Sequence, residues 1–376
     1  VQEKGEEQEE RRMGEHSDGE RSMEMAEGAY RRLAEALDHL PNAFPRTPGG
    51  WEIAILQKIF TPGEAWLASQ LIGQVETVAA IAQRVELSEE ETEARLRQLA
   101  GRGLLWTGKI GGQPGFRLAP FIVGIYETQA DQMDSELAHL FEHYMADGGA
   151  AGLMSLQPSL HRVVPAQTAV KSEWILPYDN VHKLLLEAQS FHLGDCVCRS
   201  QQEQAGLKRC QFPLRTCLSF SSELREMGPQ AVSQEEALAA LDRFETMGLV
   251  HTVSNVAEGV WYVCNCCGCC CGILRGITDF GIEQSVARAN YRAVLEREAC
   301  IACGICLDRC QVHAISQVDG VTLIDGERCI GCGLCVTACP QQAIALHLIA
   351  EAERIHPPYD FADWEQQRLR NRGIAE

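Results

Sequence analysis

Apolar positions recur at helical spacing from Trp51 onward, where Ile53, Leu56, Ile59 and Phe60 form one stripe. Thr61-Pro62-Gly63-Glu64 follows as a capping box with proline at the first helical position, which predicts a new helix at that point. A short helix is expected over residues 77–84, with Val78, Ile81 and Ala82 inward. Ser88-x-x-Glu91 is a second capping box, opening a helix that carries Leu96 and Leu99 and stops near Gly101 or Gly103. Residues 104–107 and 116–118 flank Gly111-Gly112-Gln113-Pro114-Gly115 and read as a hairpin; residues 135–146 read as a further helix. Gly148, Gly149 and Gly152 then mark a boundary.

Beyond it, residues 175–178 read as a strand leading into a helix over 181–188. Ser233-x-x-Glu236 is a third capping box, its helix has Ala237, Leu238, Leu241 and Phe244 on one face, and Gly248 ends it before a strand over 249–253. Ala314-Ile315-Ser316 leads through Asp319-Gly320 into residues 321–324 as a hairpin, and residues 343–346 give a matching strand. The fold class expected is α+β and multidomain. It divides into an acidic disordered tail (1–28), a helical domain with a hairpin (29–147), a small α/β cysteine-rich middle domain (148–290), a repeat-containing domain (291–350) and a C-terminal tail (351–376). The order helix, helix, helix, hairpin in the second segment resembles a winged helix-turn-helix.

Composition narrows the function classes. With 376 residues and 45% hydrophobic content the chain is long enough for two or three cores, and residues 1–28, rich in Glu, are the part that cannot bury enough surface to order. A formal net charge of -19 opposes nonspecific binding to nucleic acid or anionic lipid, and suits docking to a basic patch on a redox partner. A winged helix would read DNA with the helix after Ser88. Glu89, Glu90, Glu91 and Glu93 crowd the leading end of that helix, only partly offset by Arg95, Arg97 and Arg102, so DNA is a disfavoured partner. No run of eighteen or more apolar residues is present and no N-terminal apolar stretch resembles a secretion signal, so the expectation is a cytoplasmic protein without a membrane span.

The chemistry lies in the 18 cysteines. Eight fall into two copies of one spacing, Cys300-x2-Cys303-x2-Cys306-x3-Cys310 and Cys329-x2-Cys332-x2-Cys335-x3-Cys339-Pro340. A cubane cluster needs four converging thiolates; a C-x2-C-x2-C run wraps three around one face and the fourth comes from elsewhere. Paired C-x2-C steps also serve zinc, but a third cysteine at the next step, repeated twice, weighs against it. Disulfides would need an oxidising compartment. Residues 299–347 read as an internal repeat of cysteine run, short helix and strand, and resemble bacterial two-cluster 4Fe-4S ferredoxins. The resemblance implies two 4Fe-4S clusters, one on Cys300, Cys303, Cys306 and Cys339, the other on Cys329, Cys332, Cys335 and Cys310. Gln311 departs from the pattern, standing where the second copy has Pro340.

Ten cysteines remain: Cys196, Cys198, Cys210, Cys217, and the run Cys264, Cys266, Cys267, Cys269, Cys270, Cys271. Neighbouring side chains of an extended chain point opposite ways, so alternate subsets are expected to bind together. Cys264, Cys267 and Cys270 repeat the three-residue step of the two runs and Cys266 with Cys269 offers a second C-x2-C pair, a fourth ligand coming from the earlier four; the rival is a site on those four alone. A third iron-sulfur cluster is the leading assignment, zinc the alternative, and a catalytic or sensing thiol cluster the third. His192 is nearby, though a lone histidine is ordinarily a surface or capping residue. The Cys196-x-Cys198-Arg199 segment, the CNCCGCCCG run and the C-terminal repeat together resemble larger 4Fe-4S binding proteins of anaerobic bacteria and archaea. The two Cys-Cys-Gly steps are similar to the cluster motif of heterodisulfide reductases, with different surrounding spacing. No G-x-G-x-x-G, G-x4-G-K-[ST] or C-x-x-C-H signature is present. The expected function is low-potential electron relay to a partner protein or enzyme complex, as an electron-transfer protein or oxidoreductase subunit. A redox-sensing regulator using the winged helix and an oxidoreductase with a cluster-based middle site are the alternatives.

Overall fold

The computed structural model describes residues 26–374, so the acidic segment read as a tail lies outside the described residues except for 26–28, which open a helix, α1, over residues 26–38. The chain is mixed α and β, with several small sheets in two compact units. The first unit comprises residues up to Thr128 together with Leu140–Gly149; the second comprises Gln129–His139 and residues from Ala150 on.

In the first unit α1 is followed by α2 (Trp51–Ile59), α3 (Pro62–Ala68), β1 (Glu76–Thr77), α4 (Val78–Val85), α5 (Glu89–Gly101), β2 (Leu105–Ile110) and β3 (Gln113–Leu118). The helix starts follow from side-chain chemistry. Thr61 and Glu64 form a reciprocal capping box, Thr77 accepts from the Ala80 amide and Ser88 from the Glu91 amide. The hairpin strands run longer than the apolar pattern suggests, because Gly111 and Gly112 both take positive φ (58° and 83°) and close a two-residue turn. Leu33, Leu37, Ile55, Leu56, Ile81 and Leu96 are fully buried, and Phe44 packs against Phe121 and Tyr144 at ring separations of 4.3 and 5.2 Å. The expected helix near residue 135 is α6 (Ser135–Tyr144).

The second unit begins with α7 (Ala150–Met154) and is built on a six-stranded sheet paired antiparallel throughout, in the order β4-β8-β9-β6-β5-β7. The strands are β4 (His161–Val164), β5 (Ser190–Asp195), β6 (Arg215–Ser221), β7 (Ala231–Val232), β8 (Val250–Ser254) and β9 (Tyr262–Cys266), and the intervening helices are α8 (Val181–Glu187), α9 (Val197–Gln204) and α10 (Gln234–Met247). The Ser233–Glu236 capping box opens α10, and Gly248 at φ 98° closes it. The strand expected over 175–178 is absent. Pro177 offers no amide to a ladder and starts a 3-10 turn, while the Leu176 amide donates to the Tyr291 hydroxyl at 3.1 Å. The helix after it forms as expected.

After β9 come α11 (Gly272–Thr278), β10 (Tyr291–Leu295), α12 (Ile305–Arg309), β11 (Ile315–Val318), β12 (Val321–Ile324), α13 (Leu334–Ala338), β13 (Ile344–Leu348) and α14 (Phe361–Asn371). β11 and β12 form the hairpin anticipated at Asp319-Gly320, both residues in the left-handed region. β13 pairs with β10, a strand not anticipated from the sequence. The C-terminal segment packs on this unit: fully buried Arg368 donates to the carbonyls of Leu153, Leu156 and Pro158, and Trp364 Nε1 donates to the Ser159 carbonyl. Among the described residues no helix is long and apolar enough to cross a membrane.

Candidate metal centres

The two cysteine runs fold alike, and their backbone explains how. Ala302 and Gly304 in the first run, and Gly331 and Gly333 in the second, all take positive φ between 53° and 81°, which turns the chain sharply after each of the first two cysteines. The third cysteine, Cys306 or Cys335, then enters the opening turn of α12 or α13, and the fourth, Cys310 or Cys339, caps the end of the same helix. Each fourth sulfur accepts a backbone amide four residues on, from Ala314 at 3.2 Å and Ala343 at 3.3 Å.

Two cavities result. One is lined by Cys300, Cys303, Cys306 and Cys339, with Ile301, Ile305 and Ile344 among its apolar neighbours. The other is lined by Cys310, Cys329, Cys332 and Cys335, with Val312, Ile315 and Leu334. Each therefore draws three thiols from one run and one from the other, and neither contains a carboxylate or imidazole. Burial, followed by the negative charges of Cys329 and Cys310, pushes the Cys335 thiol up to about 12, and burial drives Cys332 well above its ordinary value. Four thiols held without water-exposed carboxylates form a donor set for soft metals and iron-sulfur clusters.

Residues 322–345 match the family described as 4Fe-4S binding domain. The match takes in Cys329, Cys332, Cys335 and Cys339. The chain thus carries a 4Fe-4S binding motif, over a small part of its length. No curated protein and no solved structure matches it.

The ten other cysteines are partitioned by the end of a strand. β9 stops at Cys266, and residues 267–271 form the turn into α11. Cys267, Cys269 and Cys270 therefore leave the sheet and meet Cys210, from the loop after α9. Their four Sγ atoms lie within 4.8 Å of one another, with Cys210 at 3.9 Å from Cys267 and 3.7 Å from Cys270, and Cys269 at 3.6 Å from Cys270. The remaining six make a looser chain of neighbours, Cys196 to Cys198 to Cys271 to Cys266 to Cys264 to Cys217. Cys217 and Cys264 are direct cross-strand partners, and Thr252, opposite Cys264 on β8, lies 3.4 Å from Cys266 Sγ. Among the described residues no three of these six gather within 4.8 Å.

Neither of the two expected subsets forms. Cys264 stays on the sheet while Cys267 and Cys270 leave it, and Cys266 is separated from Cys269. The rival set is divided as well, because Cys210 joins the turn while Cys196 and Cys198, at the start of α9, face Cys271 and Cys266. His192 sits on β5, where burial and the charges of Arg215 and Asp131 act on it and no thiol does.

Charge at the middle centres is handled by Arg199. Its side chain is 1% exposed, and its Nε lies 3.5 Å from Cys267 Sγ while its other nitrogens donate to Pro213 O, Thr216 Oγ1 and Asn265 O. Hydrogen bonds from the thiols of Cys210, Cys269 and Cys270, reinforced by the guanidinium, hold Cys267 well below the usual thiol range. The same contact pushes Cys210 and Cys270 up, so one thiolate is stabilised at the expense of its neighbours' ionisation. In the looser set, hydrogen bonds from Cys264 and Cys271 lower Cys266 to about 6.

Two residues outside the cysteine pattern complete the arrangement. The Gly268 amide donates to Gln311 Oε1 at 3.0 Å, and a Cβ on Gly268 would lie 1.8 Å from the Gln311 carbonyl oxygen. Gln311 directly follows Cys310, so the middle turn and the first run's fourth cysteine are joined through two residues. The departure of Gln311 from the proline of the second copy was the one sequence signal for this junction. Arg309 extends it, donating to the Glu245 and Thr246 carbonyls at the end of α10.

Proposed function

We propose that the protein transfers electrons through two 4Fe-4S clusters, one on Cys300, Cys303, Cys306 and Cys339 and one on Cys329, Cys332, Cys335 and Cys310, with a third iron-sulfur cluster in the middle domain. The observation that carries this reading is the composition of the two cavities, each combining three cysteines of one run with the last of the other. For the third cluster, Cys196, Cys198, Cys266 and Cys271 are the donors, with Cys217 and Cys264 beside them; their looser spacing suits a polynuclear cluster, which sets iron between the sulfurs.

Bound clusters of this kind supply one-electron transfer at low potential. The chain's own residues set the conditions. The Ala314 and Ala343 amides, donating to Cys310 and Cys339 sulfur, would stabilise the more negative, reduced state, and buried Ile344, Val312, Ile315 and Leu334 would keep water from the inner side of each site, which opposes added charge. Gly268 and Gln311 bring the middle turn against the end of the first run, beside Cys310 of the second cavity, so the middle domain acts as the next station rather than a separate module. The negative surface suits a basic partner, and the cytoplasm is the compartment that keeps such thiols reduced.

The first unit is best read as a winged-helix-like protein-docking module. On α5, Arg95 pairs with Glu91 and Arg97 with Glu93, while Arg102 turns to Glu64 and the Ile59 carbonyl, so the cations that would meet phosphates are already engaged. The test of the whole proposal is iron and sulfide determination on anaerobically purified full-length protein: about twelve of each per chain supports three clusters, and about eight removes the third.

A further inference from the structure

The tight set of thiols has a geometry unlike the other three. In a tetrahedral zinc-thiolate site the metal-sulfur distance of about 2.3 Å fixes the sulfur-sulfur edge at about 3.8 Å. Three of the six edges among Cys210, Cys267, Cys269 and Cys270, at 3.9, 3.7 and 3.6 Å, match that value, and all four sulfurs lie within 4.8 Å of one another. A cubane places iron ions between its ligands and holds the sulfurs much farther apart, as in the run cavities, whose cysteines do not gather within 4.8 Å among the described residues. We infer that Cys210, Cys267, Cys269 and Cys270 bind a single zinc ion, separate from any iron-sulfur cluster.

Three further observations fit. The set supplies four thiolates, the full coordination of a structural zinc site, leaving no position open for substrate. Zinc with four thiolates carries a net charge of about -2, and Arg199 needs such a counter-charge: it is buried, and none of its hydrogen-bond partners is a carboxylate. Arg209, paired with Asp279, also donates to the Cys269 carbonyl at 3.4 Å. Finally, the ion would tie the turn after β9 to the loop following α9, where residues 207–214 have no regular secondary structure. Gly268 lies inside that chelate ring, so zinc would fix the surface on which Gln311 docks. Having no redox chemistry, it would hold the junction without joining electron transfer.

The test uses full-length protein purified anaerobically without added metal. Zinc should be present at about one per chain, with extended X-ray absorption fine structure at the zinc edge showing four sulfur neighbours at about 2.3 Å. Cys210→Ser and Cys269→Ser should each lose the zinc and leave iron and sulfide content unchanged. Iron at this site, whether one ion or four, overturns the inference, as does a protein without zinc, or loss of four irons and four sulfides in Cys210→Ser. The wild-type spectrum decides the matter even if a variant fails to fold, and the iron count separately judges the three-cluster reading.

Discussion

Gly268 and Gln311 meet with no room for a side chain between them: the amide of Gly268 donates to Gln311 Oε1 at 3.0 Å, and its Cα faces the Gln311 carbonyl at a distance that a Cβ would reduce to 1.8 Å. Backbone lies on one side of this contact and the residue after Cys310 on the other, so neither can yield cheaply. Gly268→Ala should therefore destabilise the second unit by about 1–3 kcal/mol. Metal content should be retained while electron exchange between the middle domain and the two run clusters slows, measured by denaturant unfolding and by freeze-quench EPR on the same sample. Unchanged stability and exchange would show that the contact does not couple the two regions.

Gln311→Pro converts the first run to the ending of the second. It deletes the acceptor of the Gly268 amide, a bond worth about 1 kcal/mol, without touching a thiol. Iron content should stay at the wild-type value while the unfolding midpoint falls. Loss of iron would show that Gln311 supports ligation directly.

Much of this arrangement was legible because it is local. Two capping boxes and the Ser88 N-cap mark helix starts through side chains three residues apart, and the two runs encode their own loops in Gly304, Gly331 and Gly333. What the sequence did not yield is nonlocal. Whether Cys266 and Cys269 act together depends on where β9 ends, which is set by pairing with β8 and β6; Cys210 reaches the turn only through tertiary folding. The apolar residues Ile175 and Leu176 mimic a strand, but Tyr291, far along the chain, takes the Leu176 amide. β10 places Tyr291 and Ala293 inside and Arg292 and Val294 outside, an alternation that the apolar Val294 blurs in the sequence.

Arg199 neutralises the centre from behind the ligands. Its replacement in Arg199→Met should weaken zinc retention by about 10–100-fold, the usual effect of removing a partner one shell outside a metal. Competition with a chelating dye measures this. Zinc release at the wild-type rate would show that the thiolates need no counter-charge.

His161 supplies a pH dependence. Burial lowers its pKa to about 4, and its ring is held by Tyr262 at 2.8 Å and Thr252 at 3.3 Å. The unfolded chain takes up this proton near pH ~6.5 and the folded protein does not, so the stabilisation is complete above about pH 6.5 and is lost as pH falls toward about 4, at up to ~1.4 kcal/mol per pH unit. His161→Gln should flatten the slope of unfolding free energy between about pH 7 and pH 5. A slope equal to that of wild type would assign the acid sensitivity elsewhere.

For the first unit, the ion pairs of α5 and the carboxylates of Glu89 and Glu90 predict no retardation of duplex DNA at physiological salt, in either oxidised or reduced protein. Retardation that responds to oxidant would instead favour a sensing regulator.

Electron conduction through several low-potential clusters is what anaerobic coulometric titration of the protein reads. Three clusters should take up about three electrons per chain at low potential, with EPR signals of reduced 4Fe-4S centres appearing as they fill. Zinc-replete protein that accepts no electrons and holds no iron would contradict it.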